Sequence, residues 1–160
     1  MKKLSAQRIG VLVDGENLEI YAEQVYGDRI DYRRLLDAVN GREVVRALYY
    51  KPAKRLGLTF RRFIETLGIE VKTPPKNVDC WLSIDAVTLA ERCDVIVLVG
   101  GDGDYAPLLW FLKSRGVRVE VWMWAQATAE ELKTAADAYV PLTEDFLLGK
   151  TPRSRYTEAS

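Results

Sequence analysis

Short apolar runs alternate with amphipathic stretches along the whole of this 160-residue chain. Ile9-Gly10-Val11-Leu12-Val13 and Val95-Ile96-Val97-Leu98-Val99 are continuous and β-branched, the pattern of strands buried on both faces of a parallel sheet. Between and around them the pattern predicts strands over 8–14, 44–50, 69–72, 94–99 and 117–124, with a last short strand at Tyr139-Val140. Helices are expected from Glu16 to Tyr26, over Tyr32–Val39, and over Leu58–Leu67, where Phe60, Phe63, Ile64 and Leu67 recur at helical spacing. Further helices are expected over Asp79–Arg92, Ala106–Ser114 and Ala129–Ala136. Asn40-Gly41, Gly68 and Gly116 read as helix stops. This alternation predicts an α/β fold: a single-domain, three-layer sandwich around a mostly parallel central sheet. The domain is expected over 1–148, with a polar tail over 149–160 expected to be disordered.

Composition narrows the chemistry. Hydrophobic residues make up 48% and charged residues 29%, as in a soluble globular domain. No apolar stretch approaches the roughly 20 residues of a membrane span, and no signal segment follows the basic start, so a cytoplasmic location and no membrane contact are expected. Cys80 and Cys93 lack metal-ligand spacing and read as ordinary buried or half-buried thiols. Histidine is absent, which removes Ser-His-Asp and Cys-His nucleophilic systems and imidazole-based zinc sites.

Carboxylates are what remains. Asp14 ends the first buried run, and Gly100-Gly101-Asp102-Gly103-Asp104 follows the second. Ligands of open α/β sheets bind beyond the carboxyl ends of the strands, where the winding reverses. Asp14, Asp102 and Asp104 are therefore expected to share one crevice, and a hard divalent cation is the usual remedy for their repulsion. Helix capping is the competing reading for Asp14, Asp104 and Asp79. Asp85 lies six residues beyond Asp79, about 240° around a helix, so the two cannot share a narrow face. Asp94 stands at the wrong end of its strand and reads as structural. Glu16 reads as a solvated first-turn residue.

Three segments together resemble a known family: Val13-Asp14-Gly15-Glu16-Asn17-Leu18, Lys76-Asn77-Val78-Asp79 with Asp85, and Gly100-Gly101-Asp102-Gly103-Asp104-Tyr105. They look like the NYN domain of the LabA-like branch, within the PIN-like nucleases, over roughly residues 8 to 145. The resemblance implies an acidic pocket that binds Mg²⁺ or Mn²⁺ and cleaves RNA. Its acidic pattern maps onto Asp14, Asp79, Asp102 and Asp104, with Asp85 a further aspartate and Asn17 the asparagine after the first strand. The family often has Ser-Gly-Asp where this chain has Gly100-Gly101-Asp102, and Lys-Gly-Val-Asp where it has Lys76-Asn77-Val78-Asp79. Asn also tolerates turn geometry.

Net charge is zero, yet Lys51, Lys54, Arg55, Arg61, Arg62, Lys72 and Lys76 face only Glu65 and Glu70 within their own stretch. Arg61, Arg62 and Lys76 are thus candidates for contact with phosphates, and Asn17 for contact with substrate beside Asp14. Phe60 and Phe63 read as core. Two other functions stay open: a non-catalytic regulatory or RNA-binding module of the same fold, and an acidic-site phosphatase. The aspartyl-nucleophile kind of phosphatase usually has a second Asp where this chain has Glu16. A second copy of the chain or a protein partner also stays open.

Overall fold

A computed structural model describes residues 7–39 and 43–150. Six strands form one sheet, β1 (Arg8–Asp14), β2 (Glu43–Tyr50), β3 (Glu70–Lys72), β4 (Val95–Val99), β5 (Arg118–Met123) and β6 (Ala138–Pro141). Their order is β3-β2-β1-β4-β5-β6, and every pairing between them is parallel. The helices are α1 (Gly15–Tyr26), α2 (Tyr32–Val39), α3 (Leu58–Thr66), α4 (Val78–Ala90), α5 (Ala106–Ser114) and α6 (Glu130–Ala135). The expected α/β sandwich is the observed one, with most element ends within one or two residues of expectation. Asn40 and Gly41, expected to stop α2, lie outside the described residues. Gly68 and Gly116 both take positive φ, 83° in each case, as helix stops require.

The two faces of β1 explain the layers. Its odd-numbered side chains, Ile9, Val11 and Val13, join a core with Leu18, Ala22, Tyr32, Leu35 and Ile64 from α1, α2 and α3. Leu12 on the other face joins Leu82, Ala86 and Leu89 of α4, Leu109 and Leu112 of α5, and Leu132 of α6. Gly10 lets α4 approach: a Cβ there would stand 2.4 Å from Leu89 Cδ2. Phe60 lies in the core against Tyr32 and Tyr49, as expected. Trp122 and Trp124 share that same face.

The chain after β6 stays attached to the domain. Leu147 bridges Ile30, and the Gly149 amide donates to Asp28 Oδ2 at 2.9 Å. Residues 151–160 of the expected tail lie outside the described residues. Among the described residues no helix is long and apolar enough to cross a membrane. Neither cysteine is in a disulfide, and Cys80 is exposed rather than half-buried.

What matters for function is the sheet order. The chain winds outward from β1 through β2 to β3, then returns to pair β4 on the other side of β1. The winding therefore reverses between β1 and β4, and a crevice opens beyond their carboxyl ends. Val13 is in register with Val99, so Asp14 and Gly100 leave the sheet at the same level.

Candidate active site

Asp14 occupies the cap position of α1 with extended backbone, φ −84° and ψ 97°, but its carboxylate makes no capping bond. Instead, Oδ2 accepts a hydrogen bond from the Tyr105 hydroxyl at 2.8 Å. The capping explanation for Asp14 therefore fails. Tyr105 is fully buried, which fixes the direction from which it holds the carboxylate.

Asp102 reaches the crevice from the β4 side. Its Oδ1 accepts from the Asp104 amide at 2.9 Å and closes the tight turn Gly103–Tyr105. Gly101 allows that loop to lie against the neighbouring one, since a Cβ would stand 1.9 Å from the Ala127 carbonyl oxygen. Asp104 is exposed on the same turn and does not cap α5, whose cap position is Tyr105.

Asp79 comes from α4. Asn77 holds the cap position in the left-handed region, φ 56° and ψ 52°, doing what a glycine would do there. The helix already begins at Val78, so Asp79 sits inside its first turn rather than capping it.

Electrostatics ties these groups together. Burial pushes the Asp14 carboxyl above its ordinary value, and the Tyr105 hydrogen bond pulls the other way. The carboxylates of Asp102, Glu16 and Asp79 then push it up further. The Tyr105 hydroxyl is pushed up by burial and by Asp14, Asp79 and Asp102. Asp79 and Asp102 thus act on both Asp14 and Tyr105, while Asp104, expected in the same crevice, stands exposed on the adjoining turn.

Glu16 is a correction. It stands in the first turn of α1 as expected, but its side chain is only 24% exposed, is paired with Arg55, and its charge acts on Asp14. Tyr105, the residue that orients Asp14, had no expected role. Its only sequence signal is its place directly after Gly-Asp-Gly-Asp. Glu131 of α6 also borders the loop, since a Cβ on Gly103 would stand 2.7 Å from its Oε1.

Other expected residues lie around or away from this centre. Asn17 is exposed and lines a shallow depression of about 310 Å³ with Tyr21, Gln24, Gly101 and Asp102, so it forms the outer lip. Asp85 is engaged elsewhere. It accepts from the Tyr50 hydroxyl at 2.6 Å and pairs with Lys72 at 3.1 Å, tying α4 to β2 and β3. Arg61 pairs with Glu65 of its own helix at 3.4 Å, while Arg62 and Lys76 are exposed. Asp94 accepts from the Arg8 amide at the far end of the sheet, a structural role as expected.

The basic stretch is less unopposed than its sequence implies. Lys51 pairs with Glu19 at 2.8 Å, Arg55 with Glu16, and Lys72 with Asp85. These carboxylates arrive from α1 and α4. Glu19 also accepts from the hydroxyls of Tyr32 and Tyr49 at 2.5 and 2.6 Å. That network floors a larger cavity of about 370 Å³ between α1, α2 and α3, with its polar groups satisfied by one another. At Asp14, by contrast, the charges that act are those of other carboxylates.

Oxygen-only donors of this kind suit Mg²⁺ or Mn²⁺ rather than a softer metal. Among the described residues, however, no three carboxylate or thiol side chains stand so as to hold one ion. An ion here would be held by one or two carboxylates, with water and substrate oxygens completing its shell, which is the habit of Mg²⁺.

A parallel α/β domain with an acidic crevice at its switch point is the architecture of the PIN-like, nuclease-type modules. The NYN domain family matches residues 8–143, and the chain belongs to that family. It is 29% identical to the low amplitude and bright protein LabA of Synechococcus elongatus, over 86% of this chain and 84% of LabA. The crystal structure of a protein of unknown function from Vibrio parahaemolyticus superposes with a TM-score of 0.84 at 28% identity, covering 90% of this chain and 98% of that one.

Proposed function

We propose that this domain hydrolyses RNA phosphodiester bonds with Mg²⁺ or Mn²⁺ at Asp14, Asp79, Asp102 and Asp104. The observation that carries the reading is the state of Asp14. It is a substantially buried carboxylate at the switch point, and the charges acting most strongly on it are other carboxylates. A fold seldom retains such repulsion without a cation to relieve it.

The residues divide the work. Asp14 and Asp102 would hold the ion, Asp79 would help to hold or orient a water, and Asp104, exposed on the turn, would meet the substrate. Asp85, neutralised by Lys72, supports α4 and thereby the placement of Asp79. When bound, the ion supplies charge neutralisation at the phosphate and lowers the pKa of a water. Tyr105 keeps Asp14 in one orientation through the bond at Oδ2. Asn17, with Arg61, Arg62 and Lys76, contacts the strand and its phosphates.

A second reading, a non-catalytic module of the same fold, is favoured by one observation: no three carboxylates converge on a point among the described residues. Titration with Mn²⁺, followed by thermal unfolding, separates the two. The nuclease reading predicts saturable stabilisation in the wild type that is lost in Asp14→Asn, together with cleavage of RNA. Absence of both effects favours the non-catalytic module.

A further inference from the structure

Helices α4 and α5 pack side by side on one face of the sheet. Their inner positions, Leu82, Ala86, Leu89, Leu109 and Leu112, fill the core. Their outer positions are also apolar. Trp81 is 51% exposed, Ile84 66%, Val87 38%, Trp110 52% and Phe111 46%. From Cys80 to Ala90 the only charged residue of α4 is Asp85, and it is paired inward with Lys72. A helix whose only polar residues between Cys80 and Ala90 are Ser83, Asp85 and Thr88 suits an interior, and its outer side has no cover among the described residues.

The size of the patch and its composition indicate what covers it. Half-exposed aromatics of this size, with Ile84 and Val87, present roughly 500 Å² of apolar surface. A standard interface removes about 800 Å² per partner, of which about 65% is apolar in homodimers, or about 520 Å². A transient partner would meet a surface as polar as the rest of the protein. The outer positions named are themselves uncharged, and the one cation against them among the described residues is Lys113, whose ammonium lies 4.4 Å from the centroid of the Trp110 ring.

We propose that this face of α4 and α5 pairs with the same face of a second copy of the chain about a two-fold axis. The pairing is isologous, so each aromatic contributes twice, and Trp81 and Trp110 are its anchors. It stands independently of the nuclease reading, although Asp79 lies in the first turn of the same α4.

The test is the mass of the full chain by sedimentation and light scattering, from micromolar to submillimolar concentration. The wild type is expected at twice the monomer mass, and Ile84→Glu and Trp110→Glu at the monomer mass with unchanged circular dichroism. Val25→Glu, at a 53% exposed apolar position on α1, is expected to remain dimeric. If the Glu variants lose their folded signature, Ile84→Ser is read instead, with a dissociation constant raised roughly tenfold. A wild type that is monomeric throughout, or a dimer that both substitutions leave intact, overturns the proposal.

Discussion

Replacing Tyr105 by Phe removes one oxygen from a fully buried side chain and leaves Asp14 Oδ2 without the donor that stands 2.8 Å away. The ring keeps its packing, so the cost reports the hydrogen bond. A bond to an ionised, largely buried acceptor contributes about 2 kcal/mol, which for a chain of this size lowers Tm by roughly 4–8 °C. The pH dependence carries the sharper information. Asp14 already titrates above its ordinary value, and the Tyr105 bond is what restrains it. In the wild type, stability is lost as pH rises through that raised value, because folding disfavours the ionised form. In Tyr105→Phe the value rises further, so the loss is larger and continues to higher pH before it is complete. The deficit against wild type should be greatest at neutral pH. Once Asp14 is protonated in both proteins, it should contract to about that of a neutral hydrogen bond, ~1 kcal/mol. Thermal unfolding by circular dichroism, stepped from neutral pH down through the carboxylate range, measures this directly. Equal Tm values at neutral pH, or a deficit that does not shrink on acidification, would refute the placement of Tyr105 on ionised Asp14.

Asp14→Asn keeps an acceptor oxygen for Tyr105 and removes the repulsion from Asp102, Glu16 and Asp79. Stability at neutral pH should hold or rise by up to about 1 kcal/mol in urea unfolding, with no gain once wild-type Asp14 is protonated. Gly101→Ala drives a Cβ into the Ala127 carbonyl oxygen and should cost about 3 kcal/mol by the same measurement. Gly100→Ser should be tolerated within about 0.5 kcal/mol, because its Cβ meets Asp14 Cβ at an ordinary 3.5 Å. Glu19→Gln strips the charge from a carboxylate shared by Tyr32, Tyr49 and Lys51. It should destabilise by about 2 kcal/mol in thermal unfolding, less than for a fully buried pair because Lys51 and Glu19 remain about a fifth exposed.

The strands and helices were legible because each element carries its own punctuation. β1 and β4 are unbroken apolar runs, and Gly68 and Gly116 stop α3 and α5 in the conformation that glycine favours. Asp14 and Asp102 were legible for a related reason: each follows such a run, and the α/β rule says where that end points. What sequence could not supply was pairing at long range. Lys51, Arg55 and Lys72 read as a phosphate-facing excess because their partners lie on other elements, Glu19 and Glu16 on α1 and Asp85 on the helix that follows β3. Tyr105 and Asp14 are 91 residues apart, and only the adjacency of β1 and β4 brings them together. Glu16 looked like a helix-dipole residue because that motive is local, whereas its pairing with Arg55 on another element is tertiary.

The central claim is that the crevice at Asp14 and Asp102 hydrolyses RNA with a divalent ion. Its most direct test is cleavage of labelled single-stranded and structured RNA in Mn²⁺, Mg²⁺ or EDTA, with Asp14→Asn and Asp102→Asn purified alongside. Cutting by the wild type is expected to need the metal, to stop in EDTA, and to be absent from both folded variants. Cutting that survives EDTA or both substitutions, or no cutting in either metal, would contradict it.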